Sequence, residues 1–417
     1  MAFVRFLVVL LSASAALSSI PSARAQPSCP RPPTVAQVNL SAYAGRWFEI
    51  GTSARFKLQR ENGLVCNQVR YTFSAGSGGS AGGADAGTSG VSIRVENSGR
   101  LVASPAVLQS MGSVAGNSRD ACIALANVSS AAASALELLQ SQPQAAAACS
   151  QANITNEFLN IEASARSISA SIAAMATLAA RISQLDFHNA SLNLLSNQLL
   201  LYASASADKA SQIASAAATI QNATSANCDS SVSTAAASIL VSANALRDAL
   251  NRVGAAVAPF AGSDILSISL ASVASVPLPF GGIPTSVFGQ AVPSTSDPAK
   301  LTVTFDLFPS TSTEPNYWIL ALDGSEAEGY SSALVFSCME PQGLDPTPRV
   351  DVFMISRSPD MPEDELQEML GVLSGYGVGL GCDNPFVRTV QDRASEPPSL
   401  LANFLFPKPK APNLPYS

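Results

Sequence analysis

Alternating hydrophobic and polar positions along two separated parts of the chain predict short β-strands. These segments are rich in Val, Ile, Phe and Tyr, and clusters of Gly, Pro and Ser separate them. The predicted strands cover residues 65–73, 91–96, 286–291, 301–308, 317–322, 333–336 and 350–355. Many short strands at close spacing favour a barrel or a sandwich. A helix is predicted after the last strand, because Pro362 and the acidic residues 363–365 are typical of a helix start.

Residues between the two strand-rich parts follow a helical pattern instead. Apolar side chains recur there at alternating steps of three and four residues, which is typical of helices packed side by side. Four such stripes lie in residues 118–140, 154–175, 192–202 and 236–260. The sequence therefore predicts an inserted all-α domain, an Ala- and Ser-rich bundle of four antiparallel helices. We interpret the stripes as hydrophobic core and not as a cofactor site.

The chain of 417 residues is longer than a typical single domain of roughly 100 to 200 residues. We expect a discontinuous β-rich unit formed by residues 29–103 and 284–392, with the helical insert and its linkers at 104–283. Residues 1–25 have the basic start, apolar run and small residues that are typical of a secretory signal peptide. No later stretch suggests a membrane span. The Gly-rich residues 74–90 predict a flexible loop, and residues 393–417 predict a disordered tail.

Charge and cysteine content narrow the function classes. The net charge of -7 and the pI near 4.9 argue against nucleic-acid binding, because phosphate recognition needs a concentrated basic face. Five Asn-x-Ser/Thr sequons predict a glycoprotein if the chain is exported; they begin at Asn39, Asn127, Asn153, Asn189 and Asn222. Seven cysteines fit an oxidising compartment, and their odd number leaves one without a disulfide partner.

A motif near the start of the β-rich unit resembles the first motif of the lipocalin family. It is the stretch NLSAYAGRWFEIGTSARF, which contains Gly45, Arg46 and Trp47. The segments NGLVCNQVRYTF, DPAKLTVTFDLF, NYWILALD, SALVFSC and VFMISRSP then follow in the order that the family uses. The set is most similar to apolipoprotein D and to the bacterial and plant lipocalins, and it lies entirely outside the insert.

This resemblance implies a mainly β outer domain, an eight-stranded antiparallel barrel with a C-terminal helix, interrupted by the helical bundle. In the family, the tryptophan of the first motif packs beneath the arginine of the third motif, and these residues are Trp47 and Arg357 here. Asp323 matches the aspartate of the second motif, although Leu322 and Gly324 depart from the usual neighbours. We expect Gly45, Trp47, Asp323 and Arg357 to be structural residues.

The resemblance also implies a cavity for one small lipophilic ligand, because a barrel of eight strands leaves room for little more. Phe353 and Ile355 should share the inward face with Arg357, so they are the first candidates for the cavity wall. Phe305, Trp318, Phe336 and Phe56 are further candidates, the last on a loop that folds over the mouth in lipocalins. Fatty acids, sterols, retinoids, carotenoids and bilins all suit such a cavity.

Two disulfides of the β-rich unit follow from the same resemblance. The pattern of apolipoprotein D implies that Cys29 pairs with Cys338 and that Cys66 pairs with Cys382, although Cys382 stands earlier than its expected place. Within the insert, up-down helices should bring Cys149 beside Cys228, which leaves Cys122 as the odd thiol.

Candidate catalytic residues are scarce. His188 is the only histidine, and we interpret it as a solvated turn residue, so a Ser-His-Asp triad or a metal site has little support. We therefore expect a binding protein with no cofactor and no metal, not an enzyme. Two alternatives stay open: a lipid- or carotenoid-modifying lipocalin enzyme similar to the plastid de-epoxidases, and a cell-surface or matrix interaction protein.

The insert interrupts the connection between the third and fourth strands, which lies at the open mouth of a lipocalin barrel. We expect the bundle to stand over this mouth, with its chain ends and the turn at residues 186–189 nearest to it. Docking to a membrane or receptor and gating of the ligand both fit, and long Pro/Gly-rich linkers favour docking. Secretion is the expected localisation, with the thylakoid lumen as the alternative.

Overall fold

The computed structural model describes residues 28–74, 92–141, 151–185, 191–224, 230–261, 282–306, 314–340 and 348–391. The expected signal peptide, most of the Gly-rich loop and the expected tail at 393–417 lie outside these residues. The same holds for Cys149, Cys228 and His188, so the expected Cys149 to Cys228 disulfide lies outside the described part of the chain.

The described elements alternate between strands and helices in chain order. Before the insert come α1 (Leu40–Tyr43), β1 (Gly45–Ser53), α2 (Ala54–Gln59), β2 (Leu64–Ser74) and β3 (Ser92–Leu101). The insert contains α3 (Pro105–Ser141), α4 (Gln151–Ser183), α5 (Ser191–Thr224) and α6 (Ser230–Ala261). After it come β4 (Ile283–Pro293), β5 (Lys300–Phe305), β6 (Tyr317–Ser325), β7 (Gly329–Met339), β8 (Arg349–Ser356), α7 (Glu363–Gly375) and β9 (Phe386–Arg388).

Strands β1 to β8 form a closed antiparallel barrel, which confirms the expected fold class. Neighbouring strands pair in chain order, and β1 closes the ring by pairing with both β2 and β8. Closure removes the exposed sheet edges that would otherwise pair with other chains. The extra strand β9 was not predicted. It pairs with residues Gly51 to Ser53 of β1, on the side where β2 has already separated from β1.

Side-chain alternation along the strands produces an apolar barrel interior. Because successive residues of a strand point to opposite faces, one residue in two lies inside. The buried interior cluster contains Trp47, Tyr71, Ile93, Val95, Ala291, Leu301, Ile319, Ala333, Val335 and Ile355 from the strands and Tyr43 from α1. Helix α7 buries Leu366, Met369 and Leu373 and packs beside β6.

The floor of the barrel, which is the end where β1 begins, is held together by Arg357. Its guanidinium carbon lies 3.7 Å from the centre of the Trp47 ring. Its nitrogens donate to the backbone carbonyls of Ala42, Tyr43, Ala44, Arg46 and Tyr330. Gly45 passes close beneath with a φ of 103°, a conformation that favours glycine. The stacking that the resemblance implies is therefore present, and Arg357 also caps α1.

The insert is a four-helix bundle. Each helix packs against the next, and α6 packs back against α3, so the four helices surround one core. Apolar residues at helical spacing fill this core, among them Met111, Val128, Phe158, Ile172, Leu199, Ile213, Leu246 and Val257. The predicted stripes are thus core positions.

Helix α3 differs from its prediction in two ways. It begins at Pro105 instead of near residue 118, because Val107, Met111 and Val114 extend the apolar stripe. Only residues 102–104 connect β3 to it, so the expected long linker on this side is absent. By length and composition α3 could also cross a membrane, contrary to our expectation, since alanines raise its hydropathy. Many of its large apolar side chains, among them Met111, Leu125 and Val128, are buried in the bundle.

The bundle lies at the mouth of the barrel, which is the end where β1 leads into α2. Ala54 and Leu58 of α2 and Val387 of β9 belong to the same buried cluster as the bundle core. Asn62, which follows α2, donates to the backbone carbonyl of Leu108 in α3 over 2.8 Å. Helix α4 contacts β9 as well.

The disulfides correct one expected pair. Cys382 is bonded to Cys122 of α3, not to Cys66, so the expectation that Cys122 is the odd thiol was wrong. The cause is the path of the chain after α7, which runs against the bundle, where Cys382 packs on the core cluster. Cys66 is buried in β2.

A small separate unit contains the described residues among 1–31 and 338–350. In it Cys29 is bonded to Cys338 across a sequence separation of 309 residues, as the resemblance implies. The backbone N–H of Cys29 also donates to the Glu340 carboxylate at 3.1 and 3.2 Å.

We predict that Arg357→Ala destabilises the barrel by about 2–3 kcal/mol, because five carbonyls lose a charged donor and Trp47 loses its stacking partner. Urea unfolding measures this. Arg357→Lys should recover little, since one ammonium cannot replace the planar fork. The control is Arg94→Ala, which removes an arginine stacked on Phe288 of the outer face and should change stability by less than about 1 kcal/mol. Equal effects of the two alanine variants would contradict the structural role of Arg357.

Candidate functional site

The interior of the barrel between floor and mouth is the candidate site. Three of the expected cavity residues, Phe353, Ile355 and Phe305, pack against the interior cluster. Ile355 is buried, whereas Phe353 and Phe305 keep part of their surface accessible although they point inward. Of these three residues, Phe353 and Phe305 are therefore the two that are only partly buried.

Phe56 covers this site from the mouth. It belongs to α2, and its ring meets the Phe353 ring edge to face with 4.7 Å between the centroids. Leu58, two residues further, is buried in the bundle cluster. The short helix α2 thus contacts the barrel interior through Phe56 and the bundle through Leu58.

Trp318 and Phe336 are removed from the set of cavity residues. They are cross-strand partners whose rings lie 5.7 Å apart. Their neighbours Ile319 and Val335 occupy the interior cluster, so alternation places both aromatic rings on the outer face. The Lys300 ammonium lies 4.4 Å from the Trp318 ring centre on that face. The parity of these strands could not be assigned from sequence, which explains the error.

Three tyrosine hydroxyls meet inside the barrel just above the floor. The Tyr317 hydroxyl lies 2.7 Å from that of Tyr43 and accepts a hydrogen bond from Tyr71 over 2.7 Å. The three side chains come from α1, β2 and β6, and all belong to the interior cluster or pack against it. Burial raises the pKa of each of them, so the hydroxyls are neutral at physiological pH. We call this group the tyrosine cluster.

A buried charge network closes the mouth where β1 and β2 separate. Lys57 of α2 is fully buried, and its ammonium lies 3.2 Å from Glu49 and 3.1 Å from Glu61. Thr389 donates to the Glu49 carboxylate, and Asn67 donates to both carboxylates. Two acidic groups therefore share one lysine in a site of low polarity.

Burial and the neighbouring Glu49 raise the pKa of Glu61 from its ordinary 4.5 to about 8. The pKa of Lys57 is also raised, because the attraction of the two carboxylates exceeds the cost of burial. The lysine is thus a permanent cation, and protonation of Glu61 neutralises the network as the pH falls.

The β9 segment, residues 386–391, joins the strands to the bundle. Gln391 donates to the backbone carbonyls of Glu49 and Asn67, which bridges β1 and β2. Gln184, just after α4, donates to the carbonyl of Arg388 over 3.2 Å and accepts from the N–H of Val390 over 2.8 Å. Its side-chain amide therefore pairs with β9 as a backbone peptide of a neighbouring strand would.

Asp323, the remaining structural candidate, accepts a hydrogen bond of 2.6 Å from Ser331 across the turn between β6 and β7. Gly324 beside it has a φ of 90°, so a glycine replaces the usual residue where the turn needs one. Neither residue belongs to the interior cluster. Within the described ranges no group of three His, Cys, Asp or Glu side chains is placed to hold a metal ion.

Sequence reasoning missed the tyrosine cluster, the charge network and Gln184. One indication was available for the network, because Glu49 stands two residues after Trp47 and must face the same side of β1. No pattern could have placed Gln184 beside β9, which lies 206 residues from it at Val390.

Comparison with known proteins gives only distant matches. No protein-family model matches the chain, and no curated protein does. Matching solved structures include apocrustacyanin C1 at 18% identity, apocrustacyanin C2 at 17% and lobster apocrustacyanin A1 at 15%, each with a TM-score of 0.20. Each match covers 28% of this chain, which spans 57%, 57% and 56% of those chains. At such values the likeness supports no inference about function.

We predict that the free energy of unfolding falls as the pH rises from about 5 to 8. The raised pKa of Glu61 stabilises the fold fully below the unfolded-state pKa, and this stabilisation is lost as the pH rises through about 8. The loss between pH 6 and 8 should be about 1–2 kcal/mol. In Glu61→Gln this pH dependence should disappear, because an amide does not titrate. The variant should still fold, because the amide oxygen can accept from Lys57.

Chemical unfolding at four pH values measures the effect. Glu326→Gln, an exposed glutamate on the turn between β6 and β7, is the matched control and should keep the wild-type pH dependence. A Glu61→Gln variant with the wild-type slope would show that the network does not titrate in this range.

Proposed function

We propose that this chain is a lipocalin-type binding protein that holds one small lipophilic ligand inside its barrel. The motif order supports the family assignment, and the closed eight-stranded barrel is the architecture that such ligands occupy. The proposal names a binding protein and not an enzyme, and the ligand class is that of fatty acids, sterols, retinoids, carotenoids and bilins.

The observation that carries the proposal is the partial accessibility of inward-facing rings. Phe353 and Phe305 point into a closed barrel with an apolar interior, and both residues are only partly buried. Apolar walls that are not covered by other side chains gain free energy when an apolar ligand covers them, by roughly 25 cal/mol for each Å². This favours a lipophilic ligand over a polar one.

We also propose secretion as the route of this protein, with the thylakoid lumen as the alternative. Two disulfides support an oxidising compartment, since cytosolic thiols stay reduced. Glycosylation at the described sequons Asn39, Asn127, Asn153 and Asn222 belongs to the same proposal.

The role that we propose for the insert is to gate the mouth. Phe56 contacts Phe353, while Leu58 of the same short helix is buried in the bundle. A movement of the bundle relative to the barrel would therefore move Phe56 at the mouth. The short connection of residues 102–104 also supports gating over docking, because a bundle held this closely cannot swing away freely.

The binding proposal predicts that the delipidated protein binds all-trans-retinol one to one with micromolar affinity or better, as measured by retinol fluorescence. Phe353→Asp should weaken binding at least tenfold, because it places a charge on the apolar wall. Phe288→Asp is the matched control: its ring lies on the outer face of β4, and binding should be unchanged. If neither retinol nor any other apolar probe binds the wild-type protein, the proposed function is wrong.

The gating proposal predicts that Leu58→Ala speeds ligand exchange. Loss of this buried contact loosens α2 from the bundle, so stopped-flow association and dissociation rates should both rise severalfold while the affinity stays within about twofold. Leu136→Ala is the control: it removes a leucine of the same core near the far end of α3 and should leave both rates unchanged. Unchanged rates in Leu58→Ala would contradict gating.

A further inference from the structure

The tyrosine cluster has one more O–H donor than the hydrogen bonds between its three hydroxyls use. Each tyrosine hydroxyl carries one proton to donate and can accept from others. Tyr43, Tyr71 and Tyr317 therefore offer three donors, and the described residues use two of them in the bonds between the three hydroxyls. One O–H donor is left over, on Tyr43 or on Tyr317 according to which of them donates to the other.

The surplus donor lies in apolar surroundings. Tyr43 and Tyr71 are 3% and 6% exposed and share the interior cluster with Val95, Leu301 and Ile319, whereas Tyr317 is half-buried and packs against that cluster. A buried hydroxyl proton without an acceptor costs free energy, which an acceptor atom in the barrel would recover. An acceptor inside the barrel, close to the floor, would therefore be stabilised by the cluster.

Two cations near the ends of the barrel, Arg357 and Lys57, are already engaged. At the floor, the nitrogens of Arg357 donate to backbone carbonyls, and at the mouth Lys57 is bonded to Glu49 and Glu61. An ionised carboxylate beside the tyrosine cluster would contact neutral phenols. No counter-ion would then offset the free-energy cost of its desolvation. A neutral oxygen needs only the one hydrogen bond that the cluster has left.

We propose that the ligand is an elongated apolar molecule with a neutral carbonyl or hydroxyl oxygen at one end, and that it binds with this oxygen on the tyrosine cluster and its apolar body towards Phe353 and Phe56. This inference rests on the proposed function and deepens it. It excludes fatty acid anions from the preferred ligands and fixes the direction in which the ligand lies: the polar end enters first and stops near Tyr317.

The test uses the intact chain, one dye and two competing ligands. The dye N-phenyl-1-naphthylamine reports on binding of an apolar molecule without an oxygen acceptor, and its displacement gives the affinities of decan-2-one and decanoate. The variant carries Tyr43→Phe, Tyr71→Phe and Tyr317→Phe together. Removing all three hydroxyls leaves none of them unpaired, so the variant should fold. Tyr330→Phe is the control, because its hydroxyl accepts from Asn39 at the floor and lies outside the cluster.

We expect the triple variant to bind decan-2-one about tenfold more weakly than wild type and the dye within twofold, and the Tyr330→Phe control to match wild type for both. Decanoate should bind wild type more weakly than decan-2-one. In the infrared spectrum, the carbonyl stretch of ¹³C-labelled decan-2-one bound to wild type should lie below its value in hexane, which is a readout that needs no variant.

The outcomes separate the two proposals. If the dye and the ketone both fail to bind wild type, the proposed function is wrong. If both bind but the ketone shows an unshifted stretch, or has equal affinity for wild type and triple variant, the barrel binds ligands and the role of the tyrosine cluster is refuted. Tighter binding of decanoate than of decan-2-one would also refute the neutral-oxygen assignment.

Discussion

The contact of Arg357 with Trp47 and the surrounding carbonyls is the interaction on which the rest of the barrel depends. It satisfies the carbonyls at the end of α1, holds the start of β1 and ties both to the end of β8. A strand that begins in a fixed place determines which of its residues face inward. Because Tyr43 is the last residue of α1, the same contact sets the position of its hydroxyl inside the barrel.

Different interactions close the two ends of the barrel. At the floor, the guanidinium of Arg357 donates to backbone carbonyls and stacks on the Trp47 ring. At the mouth, β1 and β2 separate and the gap is filled by a charged network and by the β9 segment, which the bundle holds through Gln184. Buried ion networks of this kind are specific in geometry but weak sources of stability, since desolvation offsets much of the attraction. We therefore expect a change of pH to affect the mouth more than the floor.

Most of the secondary structure could be predicted from the sequence, because the periods of two and of three to four residues differ clearly between the barrel and the insert. Strands β2 to β8, the bundle and the helix after Pro362 follow from this. Strand β1 and the pair Trp47 and Arg357 were expected from the motifs that resemble those of lipocalins. The failures concern parity and long-range contacts. Trp318 and Phe336 were assigned to the wrong face because both faces of their strands carry apolar residues. The partner of Cys382 was wrong because it depends on where the last chain segment crosses the bundle.

The hydrogen bonds of Gln184 with the β9 segment have a consequence for how the protein is made. Strand β1 finally pairs with residues that are synthesised much later, such as Phe353 and Val387, which follow Thr52 by about 300 and about 335 residues. Loops of that length close slowly. The insert depends on contacts between successive helices and can form while the chain is still incomplete. We therefore expect the bundle to fold first, so that the side chain of Gln184 is already in place. The last strand, β9, would then form its hydrogen bonds with Gln184 as the barrel closes.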